Sequence, residues 1–159
     1  DTLFAAMRLL KHIKLVVVAT ANSVAHLSIP DNVKVHTHIP LAQAHNILTH
    51  SQCMVVPLRD SQVPCGHVTI VSGMFFKKAM IVTNSEGVHD YIQDQHTGLF
   101  YQPKQVNDLA AKIEQLWNDR DQMHRLAEAG HQFAQAMCTE QSVIKYFTDY
   151  LKNLERHSS

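Results

Sequence analysis

Residues 14–20 read KLVVVAT, and this stretch decides the fold. The run is short, apolar and rich in β-branched side chains, which is typical of a strand buried on both faces of a parallel sheet. We therefore predict a central strand here. Similar runs at residues 53–56 (CMVV) and 79–83 (AMIVT) predict two more strands, and residues 33–37 (VKVHT) and 99–101 (LFY) predict two short ones.

Segments with helical periodicity separate these strands. The first places Leu3, Met7 and Leu10 on one face, and we expect that the strand preceding this helix lies outside the sequence. Pro40 opens a helix that runs through Leu48, and further helices are predicted over about residues 67–76 and 88–92.

Three helices are predicted over about residues 105–155, with Thr139 as the N-cap of the last. Either its apolar residues Phe147, Tyr150 and Leu151 clamp that helix onto the fold, or the helix crosses to another domain. Alternating strands and helices predict an α/β fold, a Rossmann-like open parallel sheet with helices on both faces. We expect residues 1–159 to form one such domain, with the last helices packing back on it.

Composition limits the function classes. Lys plus Arg equals Asp plus Glu at 14 each, so no net charge attracts nucleic acid or an anionic membrane. The three cysteines, Cys53, Cys65 and Cys138, are odd in number and widely spaced, which favours reduced thiols in a cytoplasmic protein.

The loops that follow the strands are the expected binding region. In open parallel sheets, ligands bind beyond the carboxyl ends of the strands. The loops after Thr20, Thr37, Val56 and Thr83 are polar and rich in hydroxyl groups, as a nucleotide or sugar pocket requires. Thr37 and the adjacent His38 are therefore candidate binding residues.

The loop at residues 57–66 leads directly into a helix, and its sequence is the strongest local indication of a binding site. The first amides of that helix, at His67, Val68 and Thr69, lack intrahelical acceptors and suit a phosphate. Gly66 allows close backbone approach, with Cys65 lining the loop, and Arg59 offers a fixed charge. A plain strand-to-helix turn with a solvated arginine remains the alternative.

Several blocks together resemble a known family. These are residues 55–61 (VVPLRDS), 66–71 (GHVTIV), 78–83 (KAMIVT), 86–92 (EGVHDYI) and 96–103 (HTGLFYQP). In order and spacing they are similar to the donor-site region of retaining, family-4-like (group 1) glycosyltransferases of the GT-B fold. The resemblance covers essentially the whole chain as the C-terminal half of such an enzyme.

The resemblance implies a hexosyltransferase-like donor-binding domain of a larger protein. This domain binds a nucleotide-diphosphate sugar without a metal or other cofactor, and the sugar passes to an acceptor hydroxyl. The acceptor site, and any peripheral membrane contact, belongs to an N-terminal domain absent from this sequence, so the chain alone is expected to be inactive. At the two positions where the family has donor-binding glutamates, this sequence has Pro64 and Ser72. Ser72 retains a hydroxyl for the ribose, but a carboxylate is the stronger acceptor.

Other functions stay open on the sequence. One is a nucleotide-sugar epimerase or hydrolase of the same fold, and another is a non-catalytic Rossmann-like binding module that has lost its site. His36 and His38 would point to one side of a strand and suit a metal, but no cysteine or carboxylate cluster completes the site. His67 either touches the donor or points to solvent, and Cys65 lacks assignable partners for a nucleophile.

Overall fold

The computed structural model describes residues 1–59 and 65–157, with side chains as far as residue 149. Pro64, one of the predicted donor-site positions, lies outside the described residues. In chain order the elements are α1 (Thr2–Leu9), β1 (Leu15–Ala19), α2 (Ala21–Val24), β2 (Val33–Thr37), α3 (Leu41–His50), β3 (Cys53–Val56), α4 (His67–Phe75), β4 (Ala79–Thr83), β5 (Leu99–Tyr101), α5 (Val106–Asn118), α6 (Arg120–Met137) and α7 (Glu140–His157).

Three parallel strands form the larger sheet, in the order β3-β4-β5. All five residues of β4 are buried. This burial is expected because helices cover both faces: α5 packs against β5 on one side, and α4 packs against β3 and β4 on the other. The alternation of strands and helices thus gives the predicted α/β architecture with parallel strands.

The smaller sheet pairs β1 with β2 in parallel, from Leu15 opposite Val33 to Ala19 opposite Thr37. The prediction that this stretch is a central strand buried on both faces is wrong. Val16 and Val18 are 44% and 45% exposed. Leu15 and Val17 pack against the core, whereas Val16 and Val18 point to the other face of the sheet, where they are exposed.

Two apolar clusters hold the layers together. The first, which we call the shared core, combines buried residues of α1, α5 and both sheets, including Met7, Val33, Ile81 and Leu109. The second lies on the opposite face of the larger sheet and contains residues such as Met74. Helix α6 contributes to both clusters, so it fastens the two layers of the domain to each other.

Side-chain hydrogen bonds fix the helix ends. The Asn32 amide nitrogen donates toward the carbonyl oxygens of Met7, Leu10 and Ile13 at 2.9–3.0 Å, which caps the end of α1 and ties it to the start of β2. Thr139 is confirmed as the N-cap of α7, because its hydroxyl accepts from the Ser142 amide at 3.3 Å.

The helix predicted around residues 88–92 is wrong, and a 3₁₀ turn at Glu86–Val88 takes its place. The Thr97 hydroxyl accepts from the Gln93 amide at 2.8 Å and donates to the Tyr91 carbonyl oxygen, so it captures two backbone groups that a longer helix would use. In α7, Phe147 is 57% exposed and does not clamp the helix onto the fold. Over residues 1–59 and 65–157, no helix is both long and apolar enough to span a membrane.

Candidate functional site

The carboxyl ends of the larger sheet are joined by a hydrogen-bonded chain of three residues. The Leu58 amide donates to the Thr83 hydroxyl at 2.8 Å, and that hydroxyl donates to the Tyr101 phenol oxygen at 2.7 Å. Burial raises the pKa of Tyr101, and the hydrogen bond from Thr83 partly offsets the rise. The chain therefore holds the exit of β3 against the ends of β4 and β5, where the predicted loop begins.

Helix α4 starts at this edge with its first amides free of intrahelical acceptors. The first bond inside the helix runs from the Ile70 amide to the Gly66 carbonyl oxygen, so the amides of His67, Val68 and Thr69 precede it. Val68 and Thr69 are exposed. The partial positive charge of this nine-residue helix and its leading amides form a potential anion site.

Gly66 has a backbone reason to be glycine. Its φ is 80°, in the left-handed region, and an added Cβ would lie 2.8 Å from Leu58 Cδ2. The glycine thus lets the loop turn tightly over Leu58 before α4 begins. Whether it also permits close approach to a ligand stays a prediction.

His67 fastens the start of α4 to the loop after β4. Its Nε2 lies 2.8 Å from the Gly87 carbonyl oxygen, so this nitrogen carries the donated hydrogen, and its ring stacks on Tyr91 with centroids 4.9 Å apart. The alternative that His67 merely points to solvent is wrong, because both contacts hold the ring against the protein. A contact with a donor stays a prediction.

The loop after β4 contributes polar groups that the sequence analysis did not single out. Ser85 is 3% exposed, and its hydroxyl has no hydrogen-bond partner among the residues that the structure describes. Next to it, Asn84 Oδ1 lies 2.9 Å from His89 Nε2. A serine in a polar loop carries no sequence signal of burial, because the burial of Ser85 arises only when the fold is assembled.

The remaining predicted residues lie apart from this group or point outward. Arg59 is exposed beside Leu58, whereas Cys65 and Ser72 are partly buried. Thr37 and His38 are exposed at the end of β2, in the smaller sheet. No side-chain hydrogen bond within residues 1–59 and 65–149 joins either of them to the start of α4.

The predicted placement of His36 and His38 on one side of a strand is wrong. Strand β2 ends at Thr37, and His38 has a φ of 56°, so the alternation that would place both rings on one side is broken. Over the described part of the chain, no three His, Cys, Asp or Glu side chains are grouped so as to hold a metal.

A polar groove of about 810 Å³ adjoins the site on the β5 side. Asn84 and His89 line its boundary with the loop after β4, and Gln102, Asp108 and Lys112 line its far wall. The residues that line this groove include none of α4, so the groove and the predicted anion site are separate features.

Known proteins of similar structure are glycosyltransferases. One is a glycosyltransferase from Rickettsia africae, with a TM-score of 0.78 and 19% identity over 96% of this chain and 43% of that one. A sucrose-phosphate synthase from Thermosynechococcus elongatus also has a TM-score of 0.78, with 19% identity over 98% of this chain and 42% of that one. HepE from Anabaena, crystallised with UDP-glucose, has a TM-score of 0.74 and 14% identity over 94% of this chain and 44% of that one.

The chain spans less than half the length of each of these proteins. At such low identity the likeness shows the fold, which is the Rossmann-like half of a GT-B architecture. No curated protein matches the sequence. The model of the family described as glycosyl transferases group 1 matches residues 1–133. The chain therefore belongs to the group 1 glycosyl transferases.

Proposed function

We propose that this chain is the donor-binding half of a glycosyltransferase and holds the diphosphate of a nucleotide sugar at the start of α4. The observation that carries the proposal is the fixed N-terminus of α4, where the contacts of His67 with Gly87 and Tyr91 hold three amides that have no intrahelical acceptor beside the ends of β3 and β4. Preorganised donors of this kind stabilise an anion without being reordered during binding.

Charge considerations support a diphosphate as the ligand. The Arg59 guanidinium follows Leu58 directly and is exposed, and its planar fork suits paired hydrogen bonds with phosphate oxygens. Departure of the sugar develops negative charge on the diphosphate, and amides plus a guanidinium stabilise that charge without a metal ion. We therefore propose a metal-independent transfer to an acceptor hydroxyl, with the acceptor held by a domain outside this sequence. We place the protein in the cytoplasm.

The loop after β4 supports a polar ligand at the same edge. The buried Ser85 hydroxyl has no partner among the described residues, and a buried hydroxyl without a partner costs about 1–3 kcal/mol. A ligand oxygen that accepts from this hydroxyl would remove the cost.

Direct titration tests this proposal. UDP, the nucleotide bound in the HepE complexes, is titrated by calorimetry against the chain and against Arg59→Gln. A matched control, Arg125→Gln, changes an exposed arginine on α6. We expect Arg59→Gln to weaken UDP binding about five- to tenfold, in line with one charge-assisted contact, and the control to leave it unchanged. Absence of binding to the parent chain at millimolar UDP overturns the proposal.

A second candidate function is a binding module without turnover. It is favoured by Pro64 and Ser72, which stand where the family has donor-binding carboxylates. The full-length protein is incubated with UDP-glucose and the release of UDP is followed. UDP binding without release favours the module, and release or conversion without an added acceptor favours an epimerase or hydrolase. Release that requires an acceptor supports sugar transfer.

A further inference from the structure

Two depressions adjoin beside β5. The larger, of about 810 Å³, lies between the loop after β4 and the start of α5, and the smaller, of about 320 Å³, reaches α6. Gln93 lines both, so they form one trough, which we call the edge groove. The larger depression alone falls within the range of about 300–1,000 Å³ that is typical of small-molecule sites. The edge groove is therefore large enough for a ligand of its own.

Carboxamides are the most frequent polar side chains in the edge groove. They belong to Asn84, Gln93, Gln102, Gln105, Asn107 and Gln132. Those other than Asn84 and Gln132 are exposed, and none of the four makes a side-chain hydrogen bond within residues 1–59 and 65–149. Each carboxamide offers an acceptor oxygen beside two donor hydrogens. Neighbouring hydroxyl groups, which both donate and accept, match that arrangement.

The charged side chains of the edge groove disfavour an anionic ligand. Among its described lining residues there are two carboxylates, Asp94 and Asp108, and one ammonium group, that of Lys112. A phosphate or sulfate group would therefore meet a wall with more negative than positive charge. A neutral ligand meets no such repulsion, so the edge groove favours a ligand that is rich in hydroxyl groups and carries no charge.

The same two carboxylates close β5 to an added peptide strand. Asp94 Oδ1 accepts from the Phe100 amide at 2.8 Å, and Asp108 Oδ2 accepts from the Gln102 amide at 2.7 Å. Over the described residues β5 pairs only with β4, so strand addition would have to use its other edge. Because side chains already occupy these amides, an extended peptide lacks main-chain donors there. The two bonds also fix the walls of the groove before a ligand binds.

Aromatic rings supply apolar surface beside the carboxamides. The exposed His89 ring lies against Phe100 in the larger depression, with ring centroids 4.8 Å apart, and Phe133 lines the smaller one. A pyranose ring has hydroxyl groups around its rim and an apolar C–H face. It therefore requires both kinds of surface, since the C–H face packs on an aromatic ring while the hydroxyl groups bond to polar side chains.

We propose that the edge groove binds a neutral oligosaccharide. Gln93, Gln102 and Gln105 bond to its hydroxyl groups, and the pair of His89 and Phe100 packs against the face of a sugar ring. This carbohydrate site is additional to the diphosphate site at the start of α4, with which it shares no lining residue, and it requires no bound nucleotide.

Calorimetric titration tests the proposal. The chain is titrated with maltohexaose, cellohexaose, chitohexaose and mannohexaose, and with a heparin hexasaccharide as the anionic comparison. We expect at least one neutral saccharide to bind at millimolar concentration, and more tightly than the heparin fragment. A double variant, Gln102→Ala with Gln105→Ala, is expected to weaken that binding at least about tenfold, because two carboxamides lose their hydrogen bonds to the ligand. Gln43→Ala, which removes an exposed carboxamide on α3, is the matched control and should leave the binding unchanged.

Absence of binding by all four neutral saccharides, tighter binding of the heparin fragment, or an equal loss in Gln43→Ala overturns the proposal. Titration with UDP distinguishes it from the donor function. The double variant should bind UDP as the parent does, and a loss of UDP binding there would overturn the separate site. UDP binding without saccharide binding overturns the edge-groove site alone, whereas saccharide binding without UDP binding overturns the donor site alone.

Discussion

The strands β4 and β1 have nearly the same kind of sequence but different surroundings. Residues 79–83 read AMIVT and are all buried, whereas residues 15–19 read LVVVA and alternate between partial burial and exposure. The difference is that β4 lies between β3 and β5 under helices on both faces, while β1 pairs only with β2 over the described residues. Composition therefore predicts a strand, but neighbours decide how much of it is buried.

The largest effect expected from this difference is on core truncation. Val82 is 0% exposed and Val18 is 45% exposed, so the same change to alanine removes different amounts of buried surface. We expect Val82→Ala to lower the free energy of unfolding by about 2.5 kcal/mol, and Val18→Ala by less than about 1 kcal/mol. Urea unfolding of the two variants measures both values.

Equal losses in the two variants would contradict the comparison, because β1 would then be as enclosed in solution as β4.

A somewhat smaller effect concerns Cys53 at the start of β3. Burial raises the pKa of its thiol from 9.0 to about 11, and the positive charge of Arg120 opposes this rise. Because the folded protein holds the thiol proton more tightly than the unfolded chain, the contribution to stability is complete below about pH 9 and is lost as the pH rises through 11. We expect up to about 2 kcal/mol of stability to be lost over this range.

Denaturant unfolding between pH 8 and pH 11 measures this loss. Cys53→Ala should show a shallower decline of stability with pH, whatever its stability at pH 8, since the titrating group is gone. The control Cys65→Ala keeps the Cys53 thiol and should decline as steeply as the parent. Parallel curves for the parent and Cys53→Ala would contradict the assignment of this titration to Cys53.

Local patterns predicted most of the elements, because strand runs and helical periodicity are properties of neighbouring residues. Strand β4 and the start of α4 at His67 are where the sequence predicts them. The strand at residues 14–20 was placed wrongly at the centre of the sheet, because pairing depends on segments distant in sequence. The predicted helix at residues 88–92 failed for a local reason, since the hydroxyl of Thr97 takes up the Gln93 amide and the Tyr91 carbonyl oxygen.

The candidate site was predictable only in part. The free amides of α4 follow from a loop that enters a helix, which is a local feature. The contact of His67 with Gly87 joins residues 20 apart, and the bond from Thr83 to Tyr101 joins residues 18 apart. Neither spacing carries a signal in one sequence. The burial of Ser85 is likewise a consequence of the assembled fold.

The next prediction concerns the polar chain that ties the three strands of the larger sheet. Thr83→Val removes the hydroxyl that accepts from the Leu58 amide and donates to Tyr101, leaving one part-buried and one buried polar group without this partner. We expect unfolding by urea to show a loss of about 1.5 kcal/mol. Thr83→Ser keeps the hydroxyl and should retain more of the stability. If both variants lose the same amount, the methyl group rather than the hydroxyl is responsible.

The smallest effect concerns α3, the helix between the two sheets in sequence, in which no residue is fully buried. Lys78 Nζ donates to the carbonyl oxygens of Thr49 and Ser51 at 2.8 Å each and so ties the end of α3 to the start of β4. Burial lowers the pKa of Lys78, which reduces the net gain from these bonds. We expect Lys78→Met to cost about 0.5–1 kcal/mol, because the aliphatic stem is retained and only the charged contacts are lost.

Amide exchange locates this effect more sharply than global unfolding does. In Lys78→Met the amides of α3 should exchange faster, while those of β4 should keep their rates, since local opening of a loosely packed helix does not require the larger sheet to unfold. Lys77→Met is the matched control, because it removes an exposed ion pair with Glu128 at 3.0 Å. If the control speeds exchange in α3 equally, the two carbonyl contacts of Lys78 do not hold the helix.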